Sequence, residues 1–157
     1  MMTDKIIFLD FDGVLATENH TDDFLASHGL PIADKYGFLF DPVCVYNLKS
    51  VIRETNADIV ISSTWKLDMS LDDIRSMWKE RNLPGNVIDS TPFIDTIRGD
   101  EIDAWLNSHV TCRYAIIDDM GKSEFNEHQY SHLFQTEAYY GLDKLTAMNV
   151  IEFLNEE

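Results

Sequence analysis

Three short runs in this chain, IIFL at 6–9, IVI at 59–61 and YAII at 114–117, are apolar at every position. A strand with one wet face alternates apolar and polar residues, so an unbroken apolar run predicts a strand covered on both faces, as in a parallel sheet between helices. The intervening sequence agrees. Strands are expected at 5–10, 58–62, 86–88, 113–118 and 132–135, with helical periodicity at 41–56, 70–82, 98–109 and 142–157. Asp41 followed by Pro42 reads as a helix start, and Ser70 with Asp73 resembles a capping box. The expected fold is a three-layer α/β sandwich around a mainly parallel, Rossmann-like sheet.

The 157 residues, 45% of them hydrophobic, suffice for one core, and no Ser/Gly-rich linker or internal repeat divides them. A single domain over 1–157 is expected. Acidic side chains outnumber basic ones 28 to 12, for a formal charge of -16 and a pI near 4.4. That field repels phosphate backbones and anionic lipids at long range, which argues against long bare nucleic acid and against membrane as partners. Cys44 and Cys112 lie far apart without CxxC spacing and read as reduced, packed thiols. No apolar run is long enough for a signal segment or a membrane span, so a soluble cytoplasmic protein is expected.

Ligands of open α/β sheets bind beyond the carboxyl ends of the strands. The strongest predicted strands end there in Asp10-Phe11-Asp12-Gly13, in Ser62-Ser63-Thr64 and in Asp118-Asp119. Carboxylates gathered in this way repel one another and call for a cation. The candidate ligands are all hard oxygens, with no histidine or cysteine nearby, a set that selects magnesium, which commonly shares its coordination with substrate phosphate. Asp10 and Asp12 are therefore expected to serve a phosphate chemistry organised by a metal.

FLDFDGVL at 8–15 resembles the first motif of the haloacid dehalogenase (HAD) superfamily. IVISSTW at 59–65 resembles its second and YAIIDD at 114–119 its fourth, in the family's order. Arg98, in RGDEIDAWL, stands where the third motif places a cation opening a helix; Lys66 and Lys122 are the substitutes. The resemblance implies a small, essentially capless member with Asp10 as a nucleophile that forms an aspartyl-phosphate. Asp12 would protonate the leaving alcohol and then activate water. Ser62 or Ser63, with Thr64 a third choice, and Arg98 would bind the phosphoryl group. Asp10, the main-chain carbonyl of Asp12, Asp118 and Asp119 would hold Mg2+. Residues i and i+2 of an extended segment point the same way, which suits the paired roles of Asp10 and Asp12 and turns Phe11 into packing. Gly13 would let the backbone turn sharply.

Residues 16–40 are too few for a cap with its own core, and DDFLASHG at 22–29 is its expected helical part. Phe24, His28, Tyr36 and Phe38 are candidates for touching substrate or for packing the insertion. Trp65, directly after the serines, could line the site, whereas Trp78 and Trp105 read as core. His128 and His132 read as incidental rather than as a metal pair. The expected function is magnesium-dependent phosphomonoester hydrolysis on a small or compact substrate. A polynucleotide end or a phosphoprotein stays open, since a basic patch at Lys66, Arg75, Lys79 and Arg98 could overrule the net charge. The alternatives of another class are a non-catalytic phosphate-binding module and a phosphotransferase.

Overall fold

A computed structural model describes residues 4–28, 32–109 and 113–157. Five strands, β1 (Lys5–Leu9), β4 (Asp58–Ile61), β5 (Val87–Ser90), β6 (Arg113–Asp118) and β7 (Leu133–Gln135), form one sheet in the order β5-β4-β1-β6-β7. All four pairings are parallel. A separate antiparallel hairpin joins β2 (Ala33–Asp34) to β3 (Gly37–Phe38).

The helices are α1 (Glu18–His28), α2 (Pro42–Thr55), α3 (Leu71–Glu80), α4 (Arg98–Asn107) and α5 (Lys144–Asn155). Local chemistry sets their ends. The Asp41 side chain accepts from the N–H of Val43 and caps α2, whose Asn56 terminus is left-handed. Ser70 and Asp73 cap α3 reciprocally, as their spacing predicts.

Side-chain alternation along the central strands divides the core in two. Ile7, Leu9, Ile59, Ile61, Ala115 and Ile117 join one cluster with residues of α2, α3 and α5. Ile6, Phe8, Val60, Tyr114 and Ile116 join the other with Ile102 and Trp105 of α4. Both faces of β1, β4 and β6 are thus covered, the physical reason their sequences carry no polar residue between the ends. The result is the expected three-layer sandwich.

The edges differ from the sequence reading in modest ways. Strand β5 runs to Ser90 rather than stopping at Ile88, and α1 begins at Glu18, four residues ahead of the expected start. The hairpin carries no apolar alternation in sequence and was not expected. Cys44 is buried, and burial, followed by the Asp41 charge, pushes its thiol up to about 12. Cys112 and the side chains of Phe24 and His28 lie outside the described residues. No helix among the described residues is long and apolar enough to cross a membrane.

Candidate active site

Register builds the site. Leu9 of β1 pairs with Ile61 of β4 on one side and with Ile117 of β6 on the other. The next residue of each strand segment, Asp10, Ser62 and Asp118, therefore emerges at one level of the sheet. The ladder continues one step further: Asp10 N–H donates to Ile117 O at 3.1 Å and Ser62 N–H to Leu9 O at 3.0 Å. Three polar groups are held together by backbone pairing alone, before any side chain contributes.

The chain then turns. Phe11 is fully buried and its carbonyl accepts from the N–H groups of Val14, Leu15 and Ala16, while Gly13 takes a φ of 76°. A side chain at Gly13 would meet both that left-handed backbone and the Asp119 carboxylate, so glycine is required twice over. Thr136 Oγ1 donates to Gly13 O at 2.7 Å and pins the turn from β7's side of the sheet.

Arg98 opens α4 and reaches the strand ends. Its Nη1 lies 2.8 Å from Asp118 Oδ2 and 3.2 Å from Asp10 Oδ2, with all three side chains buried. Gly99 lets the start of α4 pack closely on the 125–129 segment, because a Cβ there would press on the Gln129 side chain and on the backbone at Phe125 and Asn126. The second oxygens are also held. Asp10 Oδ1 accepts from Phe11 N–H and Asp118 Oδ1 from Met120 N–H, both at 2.9 Å.

One guanidinium does not balance this site. Burial, and after it the charge of Asp118, pushes the Asp10 carboxyl up to about 8 in spite of Arg98. Burial raises Asp118 as well. Burial opposes the charge of Arg98, but Asp118 and Asp10 outweigh it and hold the guanidinium protonated above its usual range. Carboxylate oxygens of Asp10, Asp118 and Asp119 lie within 4.8 Å of one another. This all-oxygen set, short of positive charge, fits a hard divalent cation. The Asp12 carboxylate is not part of the group, which leaves it free for other work.

The two serines have different surroundings. Ser63 Oγ accepts from Trp65 N–H at 3.2 Å and caps the short 3-10 turn Thr64–Leu67. Ser62 Oγ is fully buried and, among the described residues, has no hydrogen-bond partner. A buried hydroxyl without a partner is costly to keep, typically about 1–3 kcal/mol. Ser62 is therefore the serine with donor capacity to spare at this level.

Lys66 is occupied elsewhere. Its Nζ donates to Glu101 Oε1 at 2.7 Å and to Thr91 Oγ1 at 2.8 Å, while Lys122 lies over the ring of Tyr130. Arg98 alone of the three candidate cations contacts the carboxylates. Three of the four basic residues that could have formed a patch have partners inside the protein: Arg75 donates to the carbonyls of Val87 and Ile88, Arg98 pairs with the two aspartates and Lys66 with Glu101. His128 pairs with Asp103, and His132 stacks on Tyr114, so the two share no ligand site.

Trp65 donates its indole N–H to both Asp12 oxygens, at 3.2 and 3.1 Å. Position next to the serines was the available sequence signal, but not the partner. Tyr36, Phe38 and Trp65 line a cavity of about 480 Å3 that reaches Asp12. A second cavity, about 640 Å3, adjoins Asp12 on the side of Glu18, Asp22, Asp119 and Glu137.

A parallel sheet that brings two buried aspartates and a serine to one level, under an arginine from the following helix, is a HAD-type fold. The family model for the HAD domain in Swiss Army Knife RNA repair proteins matches residues 6–147, and the chain belongs to that family. Its chemistry is of the general phosphatase type. Neither the curated proteins nor the solved structures return a match.

Proposed function

We propose that this chain is a magnesium-dependent phosphomonoesterase that removes a terminal phosphate from a polynucleotide end through an aspartyl-phosphate. The observation that carries the reading is the alignment of Asp10, Ser62 and Asp118 one residue beyond paired strand positions, with Arg98 bridging the two acids. Membership in a family named for RNA repair supports the polynucleotide end.

In this mechanism an Asp10 oxygen attacks phosphorus while the bond to the leaving oxygen breaks. That oxygen departs with the electron pair and takes a proton from Asp12. Asp12, now a carboxylate, removes a proton from the water that attacks the aspartyl-phosphate, which releases inorganic phosphate and restores Asp10. Ser62 donates its hydroxyl to a phosphoryl oxygen, and Arg98 offsets the negative charge between phosphate and nucleophile. Asp10, Asp118, Asp119 and the Asp12 carbonyl would hold Mg2+, which when bound neutralises charge shared by carboxylates and phosphate.

The acidic cavity beside Asp12 supports a second substrate reading. Glu18, Asp22, Asp119 and Glu137 would repel further phosphates of a leaving group, which favours a small or compact monoester with an uncharged remainder. One assay separates the two. Phosphate release is measured from RNA oligonucleotides phosphorylated at either end, from mononucleotides and from an aryl phosphate, with native protein and with Asp10→Asn. Magnesium-dependent release, lost in Asp10→Asn and fastest from one oligonucleotide end, is the expected result. Release only from small esters selects the second reading, and no release from any substrate overturns hydrolysis.

A further inference from the structure

The geometry points to Trp65 as a positioning residue for Asp12, a role that rests on the phosphatase reading above. Asp12 is exposed and sits on a glycine turn, so little packing limits its rotation. Among the described residues, the hydrogen bonds to its carboxylate are those from Trp65 Nε1, at 3.1 and 3.2 Å. The donor spans 53 positions of sequence to reach it.

Trp65 is itself well held. Its ring meets Phe11 edge-on at 5.2 Å and lies tilted against Phe40 at 5.6 Å. Its backbone N–H is fixed by Ser63 Oγ, and Gly37 of the hairpin abuts the far edge of the ring. Phe11 lies between the two aspartates in the chain and is fully buried. The indole is thus referenced to the same strand end that carries the nucleophile, and through Ser63 to the segment that carries Ser62.

Indole N–H is a donor only and cannot accept a proton. When Asp12 carries its proton on one oxygen, the Trp65 N–H bonds preferentially to the other, the stronger acceptor. The O–H is then left to face the departing oxygen of the substrate. When Asp12 is a carboxylate, the same bond keeps it turned toward the attacking water. Trp65 does not touch the reacting atoms in this scheme. It limits the orientations from which Asp12 can give and take its proton, the geometric condition for general acid–base catalysis.

A merely structural role for Trp65 predicts a different experiment. Leaving groups that are weak bases depart without a proton, whereas alkoxides need one, so mispositioned Asp12 penalises alkyl phosphates selectively. The measurement is kcat/KM, which reports phosphoryl transfer from free enzyme and substrate, across monoesters graded from nitrophenyl to alkyl, with magnesium present. Trp65→Phe keeps an aromatic ring and removes the N–H. Replacement by benzothienylalanine keeps the whole bicyclic ring and exchanges only N–H for sulfur, which covers the case in which the phenylalanine variant fails to fold.

Both variants are expected to lose about tenfold or more on alkyl phosphates and no more than about twofold on nitrophenyl phosphate. An equal fall across the series, or full alkyl activity in the benzothienylalanine protein, overturns the assignment. Native activity that Asp10→Asn abolishes, combined with a flat Trp65 series, overturns the Trp65 role alone. Native protein that releases phosphate from no ester overturns the phosphatase reading and this role together.

Discussion

Arg98 Nη1 lies 3.2 Å from Asp10 Oδ2, an ion pair between the first residue of α4 and the residue that follows β1. The same nitrogen reaches Asp118 at 2.8 Å, so one guanidinium holds both acids that flank the proposed phosphoryl position. Arg98→Ala is expected to lower kcat/KM for phosphate release by about 100-fold or more, the scale of losing a preorganised electrostatic contact. Lys66→Met provides the contrast. It strands a buried Glu101, which accepts from Lys66 and from Ile94 N–H, and a buried acid left without its partner costs about 3 kcal/mol. Arg98→Ala leaves Asp10 and Asp118 without their partner in the same way, so urea unfolding of both variants, run beside the kinetics, separates a loss of catalysis from a loss of stability.

Ser62→Ala and Ser63→Ala should differ in kind. Ser62 Oγ makes no hydrogen bond among the described residues, so its removal is expected to cost little stability and to weaken phosphate release about tenfold or more. Ser63 caps the turn that carries Trp65, so its loss is expected to destabilise by about 1 kcal/mol. Thermal melts and steady-state kinetics on the pair decide which hydroxyl faces the phosphate.

The Asp10 carboxyl sits far above its ordinary 3.8, at about 8, chiefly through burial. An acid with a raised folded-state value binds protons more tightly when folded, so its contribution favours folding below about pH 4. It is lost as pH rises through about 8. Between those values the metal-free native protein should lose melting temperature relative to Asp10→Asn, which has no such proton to release. Asp118, raised in the same direction, adds to the trend in both proteins. At the proposed site magnesium would displace the Asp10 proton, so added magnesium is expected to raise the native melting temperature more at pH 9 than at pH 6.

Gly13→Ala tests the turn beneath the carboxylates. The new Cβ would face a φ of 76° and collide with Asp119. A cost of about 1–3 kcal/mol is expected from the backbone, together with weaker magnesium affinity as Asp119 is displaced. Calorimetric titration with magnesium and a denaturant melt measure the two effects separately.

Several elements were legible without coordinates because their causes are local. Unbroken apolar runs at 6–9, 59–61 and 114–117 mark strands covered on both faces, and Asp41, Ser70 and Asp73 mark helix starts through hydrogen bonds to neighbours two or three residues away. The polar endings at Asp10, Asp12, Ser62, Ser63, Asp118 and Asp119 followed from the same runs, since the end of a buried strand is where charge can first be tolerated. The HAD family was legible from those endings together.

What no local rule could decide was which polar group meets which. Ser62 and Ser63 are chemically identical neighbours, and only the registration of Leu9 with Ile61, together with the cap on Trp65, gives them different surroundings. Arg98 and Lys66 are both cations near the strand ends, and their partners depend on where α4, which carries Arg98 and Glu101, packs in the fold. The hairpin at 33–38 carries too few residues to show a period, and the Trp65 to Asp12 bond joins positions 53 apart. Sequence determined the elements and the chemistry at their ends, through short-range hydrogen bonding and hydrophobic periodicity. Tertiary structure alone decided the pairings, because those arise from register and helix approach, which depend on the whole chain packing at once.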